Sequence, residues 1–127
     1  VVTNEPYFGE IEMLSVPQII NGLAQCIGTE TYWKNALLSF QYTDGVKFLW
    51  ESCEAYWLLM SIASHKRKET FQLWKLKVNK DRSATLTMKE DTNEPILVEQ
   101  KIAFTDFPLD GITLYLIDDI LLLPSEY

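Results

Sequence analysis

Asp106, Asp110, Asp118 and Asp119, with Glu126 close behind, are the side chains of this sequence best suited to chemistry. Carboxylates that meet at one end of a sheet can divide their protonation roles or hold a divalent cation. Turn formation explains the same positions without any function. Asp118-Asp119 reads as a tight turn, and Asp106 and Asp110 cap the loop around Pro108 and Gly111. Other catalytic patterns are thin. His65 is the single histidine, which excludes a histidine metal cluster or an HExxH helix within one chain. It stands in a basic run at a helix end, where capping or solvent exposure is expected. Ser61 and Ser64 precede it on one helix without a GxSxG turn. Gly9, Gly22, Gly28, Gly45 and Gly111 are isolated, so no phosphate-binding loop is written here. No catalytic residue, metal or cofactor is expected.

Aromatic residues supply a different chemistry. Trp33, Trp50, Trp57 and Trp74 most simply belong to a core. Their rings also suit an interface, or stacking against a planar ligand such as a nucleobase. Trp50 and Trp57 are seven residues apart, about 20° from one line along a helix. The sequence therefore supports a second reading, a small-molecule- or nucleotide-binding domain with Trp50, Tyr56, Trp57 and Trp74 around a pocket closed by the sheet.

Charge is distributed unevenly. The chain of 127 residues carries a net charge of −7. Residues 1–65 hold seven acids and two bases, residues 66–89 two acids and eight bases, and residues 90–127 nine acids and one base. An acidic chain is repelled by phosphate backbones, so direct nucleic-acid binding is not expected unless the basic middle is presented on one face. A basic protein partner fits better. Lys75, Lys77, Lys80, Arg82 and Lys89 alternate along an expected hairpin next to Lys66-Arg67-Lys68. Lysine on an exposed strand is usually protection against edge pairing.

The elements that must position these groups follow from periodicity. Residues 12–27 place Met13, Leu14, Ile19, Ile20, Leu23, Ala24 and Ile27 at helical spacing, with Ser15 before Pro17 as the start and Gly28 as the stop. Residues 29–38 predict a short helix or turn capped by Thr29 or Thr31. Residues 43–65 predict one long helix, capped by Thr43 or Asp44, whose apolar positions sweep roughly 240° of arc. So wide an arc must be covered on two sides. After residue 70 the period changes to two, predicting strands over 71–78, 85–89, 96–104, 112–117 and 120–123. Gln100 is the polar exception on the apolar side of the third strand. The expected fold is α+β, with N-terminal helices packed on one face of a four- to five-stranded antiparallel sheet. One domain over 1–127 is expected, comprising a helical extension (1–27), a helical part (28–69) and the sheet (70–127). No run reaches the about 18 apolar residues of a membrane span, and no signal-peptide pattern opens the chain, so a cytoplasmic protein is expected. Cys26 and Cys53 lie among apolar residues and read as small hydrophobes.

Several motifs resemble an uncharacterised family of small bacterial proteins. They are Gly28-Thr29-Glu30-Thr31-Tyr32, Tyr42-Thr43-Asp44-Gly45-Val46-Lys47-Phe48-Leu49, Ala55-Tyr56-Trp57-Leu58-Leu59, Thr105-Asp106-Phe107-Pro108-Leu109 and Leu122-Leu123-Pro124-Ser125-Glu126-Tyr127. The resemblance implies members in cyanobacteria and on phages, plasmids and other mobile elements, with no established activity. With the acidic segments and the surplus apolar helix, it leads to the expectation of a small non-enzymatic binding protein that inhibits a bacterial nucleic-acid-handling defence complex. Asp106, Asp110, Asp118, Asp119 and Glu126 would carry that contact. Self-association through the extra helix face is compatible with either reading.

Overall fold

The computed structural model describes residues 2–4, 14–65 and 68–127. It is an α+β fold built on one mixed sheet. The strands are β1 (Val2–Asn4), β2 (Tyr32–Lys34), β3 (Gln41–Thr43), β4 (Phe71–Val78), β5 (Ala84–Lys89), β6 (Val98–Ile102), β7 (Gly111–Ile117) and β8 (Ile120–Leu122). Seven of them run in the order β2-β3-β8-β7-β4-β5-β6, and β1 extends the β2 edge. The helices are α1 (Val16–Ala24), α2 (Asp44–Cys53) and α3 (Tyr56–Ser64). Among the described residues no helix is long and apolar enough to cross a membrane.

The meander β4-β5-β6 with β7 and β8 is antiparallel throughout, as its alternating pattern predicts. Along β4 the inward set Gln72, Trp74, Leu76 and Val78 is buried while Lys75 and Lys77 are exposed. The sheet is larger than the four or five strands expected, and it is not purely antiparallel. Residues 29–38 form β2 and a turn closed by Leu38 N donating to Asn35 O, not a helix. Trp33 pairs with Tyr42 in the β2–β3 hairpin, and β3 then lies parallel to β8, with Tyr42 beside Leu121. Aromatic residues pack well on a pleated surface, and a three-residue run is too short for its period to distinguish strand from helix.

Ser15 caps α1 as predicted. Its hydroxyl accepts from Gln18 N, and the Gln18 side chain accepts from Ser15 N at 2.8 Å, closing a capping box. The helix ends at Ala24, before Gly28, and Met13 lies outside the described residues.

The expected long helix is broken. Glu54 adopts a left-handed conformation (φ 51°) and ends α2, after which α3 starts at Tyr56. The break is how the wide apolar arc finds cover. Val46, Leu49, Trp50 and Cys53 of α2 and Leu58, Leu59 and Ile62 of α3 all join one buried cluster that includes Trp74, Leu86 and Leu114 of the sheet. Two short helices, re-aimed at the break, bury residues that one straight helix would leave on its far side. A β-carbon in the left-handed region costs roughly 1–2 kcal/mol. Glu54→Gly is therefore expected to raise stability by roughly 0.5–1 kcal/mol after the added unfolded-chain entropy is subtracted. The check is a higher urea midpoint at unchanged m-value.

Cys26 and Cys53 are free thiols. Burial pushes the Cys53 thiol up to about 12, so it packs as an uncharged small side chain.

Candidate functional site

Three of the sequence motifs converge on the N-terminus of α2. Thr43 caps the helix, its hydroxyl accepting from Val46 N at 3.3 Å and donating to Glu126 Oε1 at 2.6 Å. The Glu126 carboxylate also accepts from Gly45 N at 3.1 Å and from Leu123 N at 3.0 Å. Asp44 accepts from Trp33 Nε1 at 2.8 Å and from the backbone N–H groups of Glu30 and Thr31, while Thr29 Oγ1 accepts from Asp44 N. The first-turn N–H groups of a helix and its dipole favour carboxylates. Here two such groups lock a strand, a helix and the closing segment together. These motifs are therefore explained by architecture, and Glu126 is held inside it.

Burial pushes the Asp44 carboxyl up, but the hydrogen bonds from Trp33, Glu30 and Thr31 outweigh it and hold the group below its ordinary value of 3.8. A carboxyl lowered in the folded state contributes stability above its unfolded value. That contribution is lost as pH falls through the folded value. Asp44→Asn is thus expected to flatten the fall of stability below pH 3.8, which chemical denaturation at successive pH values reads directly.

The Thr105-Asp106-Phe107 motif is likewise held by the fold. Arg82, in a left-handed turn position, donates from Nε to Thr105 O at 3.1 Å and from Nη2 to Phe107 O, and Phe107 is fully buried. Arg82 therefore does not belong to the lysine strip with which it was grouped.

The acids do not gather in one place. Asp110 precedes β7 and Asp118 follows it, so roughly 25 Å of strand separates them. Asp106 and Asp110 flank the loop that reaches the β4–β5 turn, where Thr105 N donates to Arg82 O and Val78 N to Asp110 O. Asp118 and Asp119 form the two-residue loop of the β7–β8 hairpin, with φ values of 49° and 64° and Ile117 paired to Ile120. Both are exposed. Asp118 N donates to Thr70 O, which brings this tip to the start of β4, where Glu69 and Glu90 line an adjoining hollow. Four acids thus mark one end of the sheet.

Beside the tip lies a cleft of about 630 Å³, lined by Lys34, Ser39 and Gln41 as well as Asp118 and Asp119, with Leu38, Phe40 and Ile120 as its apolar part. Gln41 N donates to Asp119 O at 2.9 Å and fixes the tip against β3. A smaller cavity of about 110 Å³ shares Ser39, Phe40 and Asp119 with it and reaches His65 and Gln72. His65 is the C-cap residue of α3, as the sequence leads one to expect, and its ring is engaged as well. Its Nε2 lies 2.7 Å from Gln100 Oε1, which makes that nitrogen the donor, and its ring sits 6.1 Å from Trp74. Gln72, 3% exposed, accepts from Trp74 Nε1 at 2.9 Å. Lys34, Ser39, Gln41 and Gln72 are absent from a sequence reading of the site. Their one visible signal is a glutamine at an inward position of an otherwise apolar β4 face, matching Gln100 on β6.

Two of the four rings of the aromatic alternative are buried outright. Trp50 is 3% and Trp74 1% exposed. Tyr56 meets Trp50 edge-on at 5.2 Å, and Trp57 meets Phe107 at 6.4 Å. They are core and core-margin residues. Among the described residues no three His, Cys, Asp or Glu side chains are disposed to hold a metal ion.

A mixed-sheet α+β fold with a bonded helix N-terminus and an acidic hairpin tip is the class these features define. Residues 17–127 match the model of a family of unknown function (DUF6876), and the chain belongs to that family. No curated protein and no solved structure matches it.

Proposed function

We propose that the protein is a small non-enzymatic binding protein that takes a basic partner at the acidic end of its sheet, with Asp118 and Asp119 at the centre of the contact. The observation that carries this reading is the choice of residue at the hairpin tip. A two-residue hairpin loop with positive φ at both positions is most relaxed as Asn-Gly. This chain instead places two adjacent carboxylates there, exposed and mutually repulsive. Two adjacent exposed carboxylates, with Lys34 on the adjoining cleft, leave the tip a net acid open to a charged contact. The neighbouring cleft offers an apolar part for the stem of a lysine or arginine, with the two carboxylates at its rim. Of the five acids expected to make the contact, Asp118 and Asp119 are retained; Asp106 and Asp110 lie at the other end of β7 and Glu126 is an internal cap.

The mobile-element setting implied by the sequence resemblance supports a more specific role. A carboxylate tip entering the basic groove of a nucleic-acid-handling defence complex would stand where phosphates stand and block it. The test is affinity capture from a nuclease-treated bacterial lysate with the protein and with Asp118→Lys/Asp119→Lys. A protein retained at low salt, released at high salt and not retained by the reversed variant is the expected result. Equal retention by both would refute the reading.

A further inference from the structure

The sheet face that carries Lys75 and Lys77 has an unusual composition. Lys75 and Lys77 lie on β4, which is flanked by β7 on one side and β5 on the other. Protection of a sheet edge therefore does not account for them, because the described edges are β1 and β6. Register extends the same face. Lys77 pairs with Thr85, which pairs with Lys101, and Leu73 pairs with Lys89. Thr113 and Thr87 flank Lys75. Among the described residues none of these four lysines is engaged by a carboxylate. Glu99, opposite Thr87, is the acid of this strip. A chain of net charge −7 thus presents a positive patch on one flat surface.

A second, independent feature continues the same face. Phe71 and Tyr115 alternate with the inward residues Gln72 and Leu114, so they point outward with Lys75. Their rings lie 5.2 Å apart, and Tyr127 stands against both at 6.2 and 5.6 Å with 78% of its surface exposed. From Phe71 to Lys77 the strand runs roughly 20 Å. An aromatic cluster at one end, half-buried at Phe71 and Tyr115 and exposed at Tyr127, and lysines without carboxylate partners at the other are the two components that single-stranded nucleic acid requires. Bases stack on aromatic faces without regard to sequence, and phosphates follow the cations.

We infer that this open face binds a short single-stranded stretch of nucleic acid, with bases against Tyr127, Tyr115 and Phe71 and backbone phosphates along Lys75, Lys77, Lys89 and Lys101. This inference does not depend on the acidic-tip contact.

Fluorescence anisotropy with labelled oligothymidylate and oligouridylate of about twelve nucleotides tests it between about 25 and 200 mM salt. With four lysines engaged, log K should fall with log salt with a slope of about −3. Lys75→Glu/Lys77→Glu should weaken binding at least about 10-fold and roughly halve that slope. Tyr127→Ala should weaken binding about 10-fold at unchanged slope, because stacking releases no counterions. Asp118→Asn/Asp119→Gly should leave the affinity intact, which separates failure of this inference from failure of the acidic-tip reading. Thermal melts establish that each variant is folded. The inference is overturned by no binding at the lowest salt, by equal affinity of the lysine-reversed protein, or by a neutral Tyr127→Ala together with equal binding of heparin. Binding to anionic lipid vesicles without binding to either oligonucleotide would overturn it equally.

Discussion

Glu126→Ala is expected to lower stability by about 3 kcal/mol and the melting temperature by roughly 10 °C, although Glu126 has no apolar surface to lose from a core. Its carboxylate accepts from the Thr43 hydroxyl and from the N–H groups of Gly45 and Leu123. Hydrogen bonds to a charged acceptor contribute about 1.5–3 kcal/mol each when their partners are left unpaired, and water reaching a half-buried site recovers part of that. A negative charge at the N-terminus of α2 adds about 0.3–1 kcal/mol, a part that salt screens. Glu126→Gln separates shape from charge. Its amide nitrogen would face the N–H of Gly45 or one of the other two donors, so roughly half of the loss is expected to remain. Gly45 belongs to the same unit. A β-carbon there would fall 2.6 Å from Glu126 Oε1 and 2.7 Å from Leu123 Cδ1, and Leu123 is itself buried. Gly45→Ala must therefore expel the carboxylate and should cost a similar amount. The double variant is expected to cost well under the sum of the two, since trimming Glu126 removes half of the clash. Full additivity in denaturant titrations would mean that the contact does not couple the two segments.

What the sequence made legible was set by the range of each signal. The strands from Phe71 to Ile117 were readable because a period of two persists over each, β8 was marked only as an apolar run after Asp118-Asp119, and Ser15 announced α1 because a cap acts within one turn. β2 and β3 were not readable. Each is three residues long and exists because Tyr42 lies beside Leu121, nearly eighty residues away in sequence. The break at Glu54 was equally hidden, because a left-handed glutamate leaves no compositional mark where glycine would. The site was legible in part. Asp118-Asp119 could be read as a turn, but whether Asp110 stood near it depended on the length and direction of β7. Lys75 and Lys77 were correctly placed on an exposed face, yet their meaning changed once β7 covered the side of β4 that an edge would leave open. Strand register places three residues of the basic middle, Lys75, Lys77 and Lys89, on one face.

Asp118→Asn/Asp119→Gly is expected to move stability and binding in opposite directions. Both positions have positive φ, where glycine carries no β-carbon penalty and asparagine is tolerated better than most residues. The substitution also removes two adjacent like charges. Stability should rise by about 1 kcal/mol, read as a higher denaturant midpoint at unchanged m-value. Retention of the proposed basic partner should fall by about 100-fold or more, because the two carboxylates placed at the centre of the proposed contact, each able to make a charge-assisted hydrogen bond, are lost together. A residue pair kept only for turn geometry predicts the first change without the second. A pair kept for its charge predicts both, and at higher salt the difference in retention between the two proteins should shrink as the carboxylates are screened. A variant that became more stable and still held its partner would assign Asp118 and Asp119 to the hairpin alone, and the contact would then have to be sought elsewhere on the protein.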